Sequence, residues 1–576
     1  MNQKLENILN VSLDATEDEL RKADSLSTGY NWRDNTWEII VKYSGSLESI
    51  RNRYNVYIKE LLNYYAIIVA DKATIELISQ EDVIDYVEKP KSLYYQIERT
   101  KTAACVGSVR ADGNILSGKG VIVGVIDTGI DIFDNAFRNS DGTTRILNIY
   151  DQTTGEKYDK QSIDEYIRLN EDLSGGTFSY DNAPGVDNIM HGTDVSYIAA
   201  GSLGVAYEAD IIAVKMGYSI NNQFPRTTSL MDAIDYIIRK AIEYRKPVAV
   251  NISYGCNYGA HNGNTLLESF IDDISKSYRC VICVGSGNEA EKAIHFGGII
   301  NTGQVQTAYL SVGEYQSAID IQIWKNYWDT IDVMLINPRG EQIGIITEGR
   351  INRYETYNTE IITLLGEPSP YNIYQEIYIN LIPKTDYILS GIWQIVLMAG
   401  SIRAGEYNIW LPSSQALGYA TAFNNPTADG TITIPATARN CIAVGAYNAY
   451  TNSYAAFSGR GFDNSIRNVN AGVKPDITAP GVDISIARQR GNDITYRNVT
   501  GTSYAVPVVT GAAALLMQWG IVMGNDRFMY GEKLKAALID GSKPVGLVGI
   551  TRNDNQPDPR TGWGAVCLKN TLNKIL

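Results

Sequence analysis

Three short segments hold the residue types that can activate a hydroxyl nucleophile. In chain order they are VIVGVIDTGID around Asp127, MHGTDV around His191 and GTSYAVP around Ser503. A serine hydroxyl attacks a carbonyl efficiently only when an imidazole takes its proton and a carboxylate holds that imidazole. Asp127 ends an apolar run, where a carboxylate can be buried and accept the imidazole Nδ1–H. Asp-Thr-Gly by itself is a weak signal; aspartic proteases share it but would show a second copy, and none is present. Beside His191, Gly192 lets the start of a helix approach a sheet closely. Ser503 precedes the apolar stretch VVTGAAALLMQW, so helical N–H groups and the helix dipole favour negative charge there. A serine before a helix is ordinarily an N-cap, but the surrounding GTSxAxPxVxGxAALL pattern favours a nucleophile.

The flanking elements must bring these segments together. From about 105 to 298 the chain alternates VIVGVID, DIIAVKM, PVAVNISYG and CVICVGSGNE, all continuous apolar strands, with helices such as SLMDAIDYIIRKAIEYRK. That pattern predicts an α/β fold with a parallel sheet covered on both faces, and sites in such sheets form beyond the strands' carboxyl ends. Asp127 falls at such an end. Residues 1 to about 95 read as a separate α+β unit, with strands WEIIVKYSG, YYAIIVAD and VIDYVEKP and helix KATIELISQ. From about 300 to 415 the pattern turns to alternating apolar and polar residues, as expected of an antiparallel, jelly-roll-like β-sandwich. TITIPATARNCIAVGAYN then resumes the α/β pattern. The expected divisions are 1–96, 97–298, 299–418 and 419–576.

Composition narrows the function classes. The 576 residues carry a net charge of −14 with signs interspersed, which argues against a nucleic-acid or anionic-membrane surface. The N-terminal stretch lacks the basic start and apolar core of a secretory signal, and the apolar run from Gly511 is shorter than the ~20 residues of a membrane span. Synthesis in the cytoplasm and no membrane partner are therefore expected. Six cysteines do not make a disulfide framework in a chain of this length. Cys280 and Cys283 form a CxxC inside a strand, where they face opposite sides and cannot share a metal. With three histidines (His191, His261 and His295) and no HExxH, a metalloprotease is unsupported. No cofactor is evident, and no EF-hand-like loop signals calcium, although scattered oxygen ligands would be hidden in a sequence.

The order Asp, His, Ser and the motifs around each residue resemble the subtilisin-like serine proteases. Further matches are PATARNCIAVGA, FSGRG, APGVDI and GWGAV, so the likeness covers nearly all of 105–298 and 420–570. The resemblance implies catalytic roles for Asp127, His191 and Ser503. It implies an oxyanion hole of Asn288 (in GSGNE) and the Ser503 N–H. Ser253, Tyr254 and Gly255 match the segment that pairs with substrate backbone, and Val284, Gly285 and Ser286 match one wall of the S1 pocket. Two positions depart from the family: Asp194 and Val508 stand where histidines are usual. The N-terminal unit resembles a subtilisin propeptide, with self-cleavage expected near Tyr95, Gln96 and Ile97. The missing signal, the long propeptide and the insertion before the serine helix together resemble the Csp subtilases of spore-forming clostridia. That resemblance implies limited proteolysis of a zymogen such as a spore cortex hydrolase at germination, a propeptide that stays bound, and packaging in the spore. Two rival readings are a general peptide-degrading subtilase and a non-proteolytic sensor or binding protein.

Overall fold

Alternation along the strand Ile122–Asp127 sets the layers of the central unit. Val123 and Val125 enter one apolar core, while Ile122 and Ile126 enter a second on the opposite face. In the computed structural model the described residues are 2–92, 94–95, 110–111, 114–173, 183–217, 224–346, 349–462, 473–490, 493–546 and 557–576. The strand lies within a nine-stranded sheet, between Asp210–Lys215 and Val248–Ile252, both parallel to it. Cys280–Gly285 and Ile442–Asn448 continue the parallel run. Helices His191–Ala200 and Thr502–Met517 cover one face, and Thr227–Tyr244 and Leu266–Ser277 the other. Every residue of the strand is buried, so it reads as an unbroken apolar run. Cys280 and Cys283 belong to the cores on opposite faces, and both are buried free thiols.

The apolar stretch near the C-terminus is longer as a helix than its composition from Gly511 suggests. Helix begins at Thr502 and continues through a π turn to Val522, 21 residues that include an 18-residue window with a mean hydropathy of 1.7. Its length and composition would suffice to cross a membrane, yet 83% of that window is buried inside the protein as the core helix.

Residues between the last parallel strands form two antiparallel sheets of six and five strands that enclose a separate apolar core. Their strands run from His295–Ile299 to Ala422–Phe423, a few residues beyond the expected 299–418 on each side. The sequence HFGGI hid its strand because Gly297 and Gly298 carry no side chain to show alternation; it pairs nonetheless with Glu406–Trp410. The other two histidines, His261 and His295, stack on Trp410 with ring centroids 4.2 and 4.9 Å away, at the junction of this sandwich with the α/β unit.

The N-terminal unit is a five-stranded sheet with two buried faces. Ile39 and Val41 face its own helices, among them Asn7–Asp14 and Lys72–Ile78, together with Ile362 and Tyr378 of the sandwich. Ile40, Tyr65 and Ile67 face the helices Thr227–Tyr244 and Leu266–Ser277. Tyr65 packs edge-on against Phe270 at 5.2 Å and donates to Asp273 Oδ2 at 3.2 Å.

Charged side chains are buried where the three units meet. Lys91 pairs with Glu6 at 2.7 Å and with Glu88. Two further carboxyls, Glu376 and Asp320, are buried there. Burial, reinforced by Glu6, pushes Glu376 from 4.5 up to about 8 against opposition from Asn7, Lys91 and Gln322. Burial likewise pushes Asp320 from 3.8 up to about 6, opposed by hydrogen bonds from Ser25 and Tyr258 and by Lys89. A carboxyl whose folded pKa is raised contributes stability that is full below its unfolded value and is lost as pH rises through the folded one. Wild type should therefore lose thermal stability between pH 4.5 and about 8 relative to Glu376→Gln. Melting curves of both proteins across that range check this; parallel curves would contradict it.

Candidate active site

Parallel pairing places the first components side by side. Ile252 is registered with Ile126, so Asp127 and Ser253 leave adjacent strands together. Asp127 is 1% exposed. Its Oδ1 accepts the Thr128 N–H at 2.8 Å and lies 2.6 Å from His191 Nδ1.

His191 is the first residue of its helix, and the approach of that helix to the Asp-Thr-Gly turn is very close. A Cβ on Gly192 would lie 2.3 Å from the Gly129 carbonyl oxygen and 2.9 Å from Asp127 Cβ, so only glycine fits. Asp187 holds the entry to the helix. Its Oδ1 accepts from Thr128 Oγ1 (2.7 Å), Met190 N (2.7 Å) and Ile189 N (3.2 Å). Its Oδ2 accepts from Thr193 N and Thr193 Oγ1, both at 2.8 Å. Thr128 Oγ1 in turn accepts the Gly192 N–H at 2.9 Å. No motif in the sequence marks Asp187; its one trace there is its place four residues before His191.

Burial by itself would lower the proton affinity of His191; Asp127, with Asp194 and Asp187 behind it, outweighs burial and raises it above the ordinary 6.5. The stability this brings is full below the unfolded value and is lost as pH rises through the folded one. His191 Nε2 has no hydrogen-bond partner among the described residues, although the ring is buried.

Ser503 is the second residue of the helix Thr502–Met517 and is fully buried. Pro507 has no N–H to give the Ser503 carbonyl four residues back. Ser253 Oγ serves that carbonyl instead, at 3.3 Å. Asn251 Nδ2 donates to Ser253 Oγ at 3.0 Å, and Thr510 Oγ1 donates to Asn251 Oδ1 at 3.1 Å. These bonds tie the serine helix to the central strand. Val508, at one of the two departures from the family pattern, is buried in the same core.

Asn288 is oriented by its neighbours. Its Oδ1 accepts Thr502 N at 3.0 Å and Thr502 Oγ1 at 3.1 Å, which assigns the other amide atom as Nδ2. Among the described residues that buried Nδ2 has no hydrogen-bond partner, so a donor beside the serine helix is left available to a developing negative charge.

Tyr254–Gly255 pairs antiparallel with the chain's own Tyr94–Tyr95. On the other side of this tail, Lys91 N donates to Thr227 Oγ1 at 2.7 Å and Thr227 N to the Lys91 carbonyl at 2.6 Å, while Ser92 bridges to Arg226. Val284 and Gly285 end a buried strand and Ser286 follows it, fixed by its N–H on the Val444 carbonyl and by its Oγ 3.2 Å from Ser458 Oγ. Gln96 and Ile97 lie outside the described residues. Among the described residues no three His, Cys, Asp or Glu side chains are grouped as a metal ion would need.

Residues 118–368 and 404–564 match the profile of the subtilase family, Peptidase S8, and residues 3–91 match that of the Csp protease B prodomain. Among solved structures the chain is similar to the CspB protease of Clostridium perfringens. Identity is 34% and the TM-score 0.73, covering 80% of this chain and 94% of that one. Among curated proteins it is similar to the subtilase-type proteinase RRT12 of Saccharomyces cerevisiae, 33% identical over 128 residues, which is 22% of this chain and 23% of that protein. Subtilisin-like protease 10 of Arthroderma otae is 34% identical over 120 residues, 21% of this chain and 27% of that one. The matched segments thus span about a quarter of these two curated relatives.

Gly192→Ala should separate the histidine helix from the Asp127 turn, lowering stability by roughly 1–3 kcal/mol as overpacking does. Chemical denaturation of the variant beside wild type measures this; an unchanged midpoint would contradict the close approach.

Proposed function

Because the chain belongs to the subtilase family of serine endopeptidases and carries a Csp protease B prodomain, we propose that Asp127, His191 and Ser503 form its triad and that it cleaves its own N-terminal unit. The observation that carries this reading is the Tyr94–Tyr95 strand on Tyr254–Gly255. Adding a peptide as an extra strand is how an extended substrate is held by its backbone, and the segment that receives it leads through Ser253 to the Ser503 carbonyl.

In the proposed reaction His191 Nε2 takes the proton of Ser503 Oγ as the oxygen attacks the scissile carbonyl carbon. Asn288 Nδ2 and the Ser503 N–H donate to the oxyanion. Asp127 accepts the Nδ1–H and stabilises the imidazolium, which then protonates the leaving amine. Water, deprotonated by the same imidazole, hydrolyses the acyl-enzyme and regenerates Ser503. We place the first scissile bond in the segment Tyr95, Gln96, Ile97. The clamping of Lys91 and Ser92 at Thr227 and Arg226 supports a tail held on both edges. The two buried faces of the prodomain sheet support its remaining bound after cleavage.

The substrate we propose beyond the chain itself is a protein zymogen cut at one site, such as a spore cortex hydrolase at germination, with the enzyme packaged in the spore. The Csp-type prodomain and the likeness to a clostridial CspB protease support this reading. A vestigial sensor would not need His191 and Asn288 to keep unmatched buried atoms at the serine helix.

Intact-mass analysis of purified wild type should give two pieces divided near residue 96, and Ser503→Ala one whole chain; a split Ser503→Ala protein would end the proposal. Asn288→Ala should slow processing by about 10²–10³-fold, the usual loss for one oxyanion donor. Since the base must be neutral and its pKa is raised, cleavage should fall as pH drops through a value above the ordinary ~6.5. A rate that stays flat down to about pH 4, the ordinary range of a carboxylate, would exclude a histidine base.

A further inference from the structure

Three residues after His191, on the same helix, stands the fully buried carboxylate of Asp194. A buried carboxylate is costly unless it is paired or hydrogen-bonded, and here two cations come from one hairpin, Ile484–Arg490 paired with Asp493–Val499. Arg488 ion-pairs with Oδ1 of Asp194, and Arg497 Nη2 lies 3.1 Å from Oδ2. Arg488 Nη2 also donates to the Met190 carbonyl at 3.0 Å. Met190 has the left-handed φ of 68° from which the helix departs, and His191 is the next residue. The hairpin therefore grips the histidine helix at its side and at its first turn. It meets the Asp187 network at Met190, whose N–H donates to Asp187 Oδ1 while its carbonyl accepts from Arg488.

We infer that Asp194, Arg488 and Arg497 form a positioning unit that fixes the imidazole of His191 and sets its proton affinity. The inference rests on the reading of His191 as the general base. The groups facing His191 are Asp127 from the strand, Asp187 from the preceding loop, Asp194 from its own helix and the Tyr504 ring, 5.3 Å away on the serine helix. Those facing Asp194 are Arg488, Arg497, His191 and Tyr504. Burial lifts the Asp194 carboxyl above its ordinary value, opposed by the two guanidiniums. The acid and the arginines thus act on His191 with opposite signs: loss of the acid leaves two cations near the imidazole, and loss of an arginine leaves more of the carboxylate's field acting on it.

The test is a titration of His191 by NMR in full-length, uncleaved Ser503→Ala protein labelled at histidine Cε1. Three histidines give three signals, and the one lost in His191→Gln identifies the site. Added to Ser503→Ala, Asp194→Asn should lower the His191 pKa by on the order of one unit, the scale of a single nearby charge. Arg497→Gln, at a 40% exposed side chain, should raise it. A pKa unmoved by both changes, or moved in the same direction, would overturn the inference. If Asp194→Asn fails to fold, Arg497→Gln alone decides by the sign of its shift. The general-base reading is tested separately: self-cleavage by His191→Ala protein would overturn it whatever the titration gives.

Discussion

A carboxylate and an imidazole, both removed from water and 2.6 Å apart, set the constraint on which the rest of the structure depends. Asp127 and His191 come from segments 64 residues apart, and neither can be buried alone without a large desolvation cost. Their contact exists because a helix start is brought against a strand end at a distance that excludes any side chain on Gly192. Asp187 supplies the accompanying backbone bonds and lets Met190 adopt its left-handed turn. A flexible loop in that place would spend part of its time with the imidazole elsewhere.

The serine side is built on a different solution. The helix Thr502–Met517 is buried along its whole length, so its placement is fixed by packing rather than by hydrogen bonds to solvent-facing loops. Pro507 leaves one carbonyl without its helical donor, and that vacancy is where the central strand's Ser253 attaches. A residue that weakens a helix locally thereby couples the serine to the strand that leads to the edge on which Tyr94–Tyr95 lies. The prodomain reaches that edge only because its sheet is apolar on both faces, one against the α/β unit and one against the sandwich. The sandwich is thus a second wall for the prodomain, and the buried carboxyls Glu376 and Asp320 mark where the three units close together.

Much of this was legible in the residues. Asp127, His191, Ser503 and Asn288 stand in short motifs whose chemistry is local, and the strands around them show unbroken apolar runs. Other features left weaker traces. The helices between Asn7 and Ser27 are short, although Thr16 and Glu19 form a capping box that marks one of them. HFGGI lost its alternation to two glycines. The partners of Asp194 lie about 300 residues downstream in a hairpin with no motif, so nothing near position 194 signals that this departure from the family pattern anchors two arginines.

The sequence alone determined which groups could do chemistry and in what local frame, because turns, helix starts and strand periodicity follow from short-range sterics and hydrogen bonding. It determined likewise that a separate β unit interrupts the α/β pattern. Only the tertiary structure decided which polar atoms are left unmatched at the site, which charges face His191, and that Tyr94–Tyr95 lies on Tyr254–Gly255. Those outcomes depend on burial and on pairing between distant segments. Neither is a property of any stretch of chain until the surfaces that bury it have come together.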